Sequence, residues 1–308
     1  MKECLPLRGI VTVLNTPFTA SGELDTQALR RHVRRALVAG VAGFLAPAMA
    51  SEVEKLTSAE RDSFVDTVLD EVRGQAVVIG GASASSASER VRLARHLVRA
   101  GCNGVLVSLP YETDQQYERS VAEIAETSPP FLMLQDWDPH GYGVPVKTLV
   151  KLFETIDAVR AVKVEAVPAG RKYSELLKAT GGRLHVSGGW AVMQMIEALD
   201  RGVHAFMPTA LHSLYVNIYN LYIDGCRQDA QELFNRLLPV LAFANQHLDI
   251  SIHFFKQLLF AQGIYPTPNV RQPILPFDNV HASMAKELIG LASALEREID
   301  SAHCKTTP

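Results

Sequence analysis

Ala158-Val159-Arg160-Ala161-Val162-Lys163-Val164-Glu165 reads as a buried β-strand with a lysine inside it. Side chains alternate along a strand, so Ala161, Lys163 and Glu165 share one face and Val162 and Val164 the other. An ammonium ion buried in an apolar strand is costly to desolvate, and burial of an amine favours its neutral form. A neutral amine is a nucleophile that condenses with a ketone to give a Schiff base. On this strand alone, the competing reading is a strand-end lysine that reaches solvent or forms a structural ion pair with Glu165.

Similar apolar runs recur along the chain. Candidate strands cover 10–14, 43–48, 76–81, 104–109, 131–136, 159–165, 184–187 and 205–208. Amphipathic stretches lie between them, as at 26–39, 58–72, 88–100, 117–126 and 146–155. Thr57-Ser58-Ala59-Glu60 and Ser86-Ala87-Ser88-Glu89 match the capping box, in which hydroxyl and carboxylate satisfy the first amides of a helix reciprocally. Gly40 and Gly101 stand where helices end before the next strand. This repeated alternation predicts an α/β protein, a (β/α)8 TIM barrel. An open doubly wound sheet would carry GxGxxG after its first strand, and none is present. Beyond residue 212 helical patterns follow one another without strands, at 214–222, 230–246, 250–261 and 282–295. The expected organisation is a barrel over 1–212 and a C-terminal helical extension over 213–308 packed on it.

The bulk properties agree. The chain has 308 residues, 47% hydrophobic and 20% charged, with a net charge of −3. Nothing in that balance suggests nucleic-acid binding. No apolar run is long enough to span a membrane. Cys4, Cys102, Cys226 and Cys304 are far apart, without metal-ligand spacing, which fits reduced thiols in a cytoplasmic protein. Met1-Lys2-Glu3-Cys4-Leu5-Pro6 lacks the charged-then-apolar pattern of a signal peptide. The ten histidines form no HExxH pair, so no metal site is expected.

Barrel active sites lie at the carboxyl ends of the strands. That rule points to Thr16, Ser51 with Glu52, Ser83, Tyr111, Gln135 with Asp136, Lys163 with Glu165, Gly188-Gly189-Trp190 and Met207-Pro208-Thr209.

These residues resemble the dihydrodipicolinate synthase / N-acetylneuraminate lyase family of Schiff-base enzymes. The pieces occur in the family's order from about Arg8 to Leu295: Thr16-Pro17-Phe18, Ser51-Glu52, Ile79-Gly80-Gly81-Ala82, Pro110-Tyr111, Lys163, and Ser187-Gly188. The resemblance implies that Lys163 attacks the ketone of a 2-oxo acid such as pyruvate, and that the resulting iminium drives aldolase or dehydratase chemistry. It also implies no organic cofactor or metal, and a homo-oligomer, a dimer or tetramer. The strand-end rule and the resemblance together give Lys163, Tyr111, Asp136 and Glu165 as the expected catalytic set. They give Ser51, Glu52, Gln135, Gly188, Gly189, Trp190 and Met207 as the expected substrate-binding set.

The chain departs from the family pattern in four places, one of them Glu112, where a second tyrosine usually follows Tyr111. The usual Gly-Thr-Thr-Gly-Glu loop reads Ala48-Met49-Ala50-Ser51-Glu52, which removes two hydroxyl donors. The strand-five tyrosine aligns with Gln135, and an amide cannot do a phenol's acid–base work, which leaves Asp136 or Asp138 as candidates for it. Pro139-His140-Gly141-Tyr142-Gly143 lacks the arginine expected for a semialdehyde carboxylate. The reading is therefore a divergent Schiff-base lyase. Two alternatives stand beside it: a catalytically lapsed barrel that binds a metabolite as sensor or scaffold, and a hydrolase or isomerase that uses Asp136, Asp138 and Glu165.

Overall fold

The computed structural model describes residues 2–138 and 140–306, the side chains of 190, 191 and 300–306 excepted. Its strands are β1 (Gly9–Val13), β2 (Gly43–Ala46), β3 (Val77–Gly81), β4 (Gly104–Ser108), β5 (Leu132–Asp138), β6 (Val159–Ala166), β7 (His185–Gly188) and β8 (Ala205–Phe206). They pair in sequence order, all parallel, and β8 returns to β1 to close the barrel. The expected (β/α)8 fold is the fold observed.

Two apolar layers hold it. Val11, Val13, Leu45, Ile79, Leu106 and Met133 fill the barrel interior. Outside, Val162 and Val164 join Leu134, Phe64, Leu97 and Phe153 in the layer between strands and helices. Each such side chain contributes about 1.5–3 kcal/mol on burial. The outward valines fix the parity of β6, so Ala161, Lys163 and Glu165 face inward, as the alternation predicts. Register then sets Gln135 of β5 and Ser187 of β7 on either side of Lys163.

The helices between strands are α1 (Thr26–Val38), α2 (Ser58–Val72), α3 (Ala87–Ala100), α4 (Asp114–Ala125), α5 (Val146–Thr155), α6 (Ala169–Ala179) and α7 (Met195–Asp200). At α2 the capping box is complete: Glu60 N–H donates to Thr57 Oγ1 at 3.2 Å, and Thr57 N–H donates to Glu60 Oε2 at 2.9 Å. At α3 only half of it forms. Ser86 Oγ accepts from Glu89 N–H at 3.2 Å, but the Glu89 carboxylate turns to the Arg92 guanidinium at 2.8 Å. An ionised partner outcompetes a neutral amide for the carboxylate.

After β8 come α8 (His212–Ile223), α9 (Arg227–Ala244), α10 (Leu248–Ala261) and α11 (Asn279–Thr306), the last longer than the periodicity suggested. α10 packs on α9 and against the short turn Met49–Ser51, which brings it over the barrel mouth. The segment from 264 to 278 then returns to the loops after β1 and β2. Tyr265 Oη donates to Asn15 O at 2.6 Å, and Arg271 donates to Gly22 O at 2.8 Å and Glu60 Oε2 at 2.9 Å. Among the described residues, no helix is long and apolar enough to cross a membrane.

Candidate active site

At the carboxyl ends of the strands, Lys163 and Glu165 open into one cavity with Gln135, Gly189 and Met207. Lys163 Nζ lies 3.0 Å from Glu165 Oε1, with side-chain exposures of 6% and 7%. Gln135 Nε2 donates to the other carboxylate oxygen, Glu165 Oε2. The carboxylate is thus held from two sides, with one oxygen on the amine and one on the amide. Gly189 lines the cavity directly behind it. A Cβ there would stand 2.1 Å from Glu165 Oε1, so only glycine leaves room for the carboxylate. Of the expected residues, Lys163, Glu165, Gln135, Gly189 and Met207 are brought together here.

The others are placed elsewhere. Asp136, expected as a catalytic carboxylate, does not line the cavity. Adjacent strand residues face opposite ways, and Gln135 holds the inward place. Asp136 instead forms a buried ion pair with Lys172 of α6, and its Oδ1 accepts from Val144 N–H at 2.8 Å. Burial pushes the Asp136 carboxyl up against the pull of Lys172, and pushes the Lys172 ammonium down against the pull of Asp136. Ser51 is a loop clip, not a wall residue: its Oγ donates to Leu14 O and accepts from Ala48 N–H at 2.9 Å. Glu52 turns away into an ion pair with Lys256, where burial lowers the lysine to about 8. Tyr111 lies at the surface and donates to Asp114 Oδ1 at 2.7 Å. Gly188 packs against Tyr173 and Phe206. The Trp190 side chain lies outside the described residues.

Sequence reading missed the roof. Leu248, Ser251 and Phe255 of α10 and Asn245 at the end of α9 line the cavity, as does Tyr215 of α8. The 248, 251, 255 spacing is a single helix face, a signal present in the sequence but without an address until α10 is placed. Burial pushes the Tyr215 phenol far up, so it keeps its proton at neutral pH. Among the described residues, no group of three or more His, Cys, Asp or Glu is arranged to hold a metal ion.

A closed parallel barrel with an inward lysine–glutamate pair at the carboxyl ends of its strands is a (β/α)8 barrel with an enzyme-type site. A model of the dihydrodipicolinate synthetase family matches residues 6–291, and the chain belongs to that family, as a lyase of the aldolase type. A 4-hydroxy-tetrahydrodipicolinate synthase of Methanothrix thermoacetophila is 27% identical over 253 residues, 76% of this chain and 80% of the relative. An uncharacterized DapA-like lyase of Pyrobaculum arsenaticum is 25% identical over 246 residues, 78% of this chain and 81% of the relative. Among solved structures, dihydrodipicolinate synthase from Rhodopseudomonas palustris superposes with a TM-score of 0.86 at 21% identity, over 94% of this chain and all of that one. That likeness bears on the fold.

Proposed function

We propose that this lyase works through a Schiff base between Lys163 and the ketone of a 2-oxo acid such as pyruvate, as an aldolase or dehydratase. The observation that carries the reading is the buried Lys163 amine, 3.0 Å from Glu165 at the floor of the cavity. Membership of the family supports it.

In this mechanism the Lys163 ammonium gives a proton to Glu165 Oε1, and the freed lone pair attacks the ketone carbon. The carbinolamine hydroxyl takes a proton back from Glu165 and leaves as water. The iminium then accepts the electron pair of a breaking carbon–carbon bond, or of a breaking bond to a proton that precedes loss of water. Gln135 has no proton to exchange. Its amide holds Glu165 Oε2, which leaves Oε1 for the amine. The cavity carboxylate thus has the acid–base role that a strand-five phenol would have.

The test is borohydride reduction in the presence of pyruvate, followed by intact-mass and peptide analysis. A mass increment confined to Lys163, and absent from Lys163→Ala, is expected. Folded protein that turns over a substrate without ever being trapped would refute the reading.

A further inference from the structure

The wall of the cavity says what the substrate carries beyond its reacting ketone. Among the described residues that line it, the charged side chains are Lys163 and Glu165, already paired with each other. Lys172, Lys256 and Arg271 do not line it and are bonded to Asp136, Glu52 and Glu60. The rest of the wall is apolar or neutral. Val13, Met49, Leu248 and Phe255 supply the apolar surface. Asn245, Ser251 and Thr209 supply side-chain amide and hydroxyl groups that carry no hydrogen bond among the described residues.

Charge matching sets the limit. When a 2-oxo acid condenses with Lys163, amine and ketone give an iminium and water. The Lys163 cation is retained as the iminium, so one cation stands between Glu165 and the carboxylate next to the reacting carbon. A second carboxylate further along the substrate would be desolvated with no cation to meet it, which costs several kcal/mol. An uncharged branched or aromatic tail meets Phe255, Leu248 and Met49 instead. A hydroxyl or carbonyl on that tail has the Asn245, Ser251 and Thr209 groups to bond.

Resting on the Schiff-base reading, we infer that the substrate is a 2-oxo acid with a single carboxylate and an uncharged, largely apolar tail, and that dicarboxylic 2-oxo acids are disfavoured.

Trapping rates test this without any need for turnover. The whole chain is reduced with borohydride in the presence of pyruvate, 4-methyl-2-oxopentanoate, phenylpyruvate, 2-oxoglutarate or 2-oxoadipate, and the Lys163 adduct is followed by mass. Hydride adds to the iminium carbon and leaves a stable secondary amine in every case. The neutral-tailed acids are expected to trap at least roughly tenfold faster than the dicarboxylates. Leu248→Arg should cancel that preference by supplying the missing cation, and Leu248→Gln should keep it. Dicarboxylates that trap as fast as the neutral-tailed acids, while pyruvate labels Lys163, would overturn this inference and leave the Schiff base standing. No adduct with any of the acids, in protein shown to be folded, would overturn both.

Discussion

Glu165 Oε1 fills the space that a side chain on Gly189 would need: the Cβ position lies 2.1 Å from that oxygen. Two strands meet at this point, and the carboxylate is pinned between the glycine backbone and the Lys163 amine. Gly189→Ala must push the carboxylate aside. The expected result is a loss of about 1–3 kcal/mol of stability from overpacking. A loss of at least roughly tenfold in the rate of pyruvate trapping should accompany it, because proton transfer depends on hydrogen-bond reach. Stopped trapping assays with a circular-dichroism control read both, and an alanine variant that traps at the native rate would contradict the relationship.

Glu165 and Lys163 differ in what their removal leaves behind. Lys163→Ala should leave no adduct and no turnover in folded protein. Glu165→Gln should still form the adduct, at least roughly tenfold more slowly, and lose roughly 10²- to 10⁴-fold in turnover, the usual range for a general acid–base. Mass spectrometry and steady-state kinetics on the two variants decide it. Native turnover in Glu165→Gln would remove the carboxylate from the mechanism.

The Asp136–Lys172 pair predicts the opposite behaviour. Lys172→Met leaves a buried carboxylate without its counter-charge and should cost about 3–5 kcal/mol. Asp136→Asn combined with Lys172→Met should recover much of that loss and still trap pyruvate. Chemical denaturation gives the stabilities. Loss of trapping in the folded double variant would return Asp136 to the catalytic set.

Two buried histidines and one half-buried one make the protein acid-sensitive. Burial lowers His185 and His212 to about 3 and His204 to about 4, from an ordinary value of 6.5. Nearby Arg8 or Arg35 adds to the effect. Below pH 6.5 the unfolded chain takes up protons that the folded chain refuses, so stability falls as pH drops. Each histidine contributes a slope of at most about 1.4 kcal/mol per pH unit, between 6.5 and its lowered value. Denaturation midpoints measured from pH 7.5 to 4 should decline through this window, and less steeply in His185→Gln. A flat profile over that range would contradict the burial of neutral imidazoles.

The barrel was legible because its signals are local. Val162 and Val164 announce the outer face of β6, and the inner face of Lys163 and Glu165 follows by alternation. The same rule contains a warning that the reading of β5 did not use. Gln135 and Asp136 are neighbours, so they cannot both face inward, and the buried Lys172 that captures Asp136 is only visible once α6 is packed. Glu52 was misplaced for a similar reason. Its loop follows β2, as a site loop should, but its backbone at φ 55 turns the carboxylate away toward Lys256. The roof of Asn245, Ser251 and Phe255 could not be assigned from spacing, because nothing local tells a helix which barrel opening it will cover.

The Glu52 carboxylate meets Lys256 on one oxygen and the Arg271 N–H, at 2.8 Å, on the other, across a separation of 219 residues in the latter case. Both partners follow the last strand, which ends at Phe206. A chain emerging from the ribosome therefore has every barrel strand while this carboxylate has only Lys55 of its own loop, at 3.4 Å, and not yet the closer, fully buried Lys256. Assembly of the mouth thus runs against the direction of synthesis: the loop made second is set in place by the segment made nearly last.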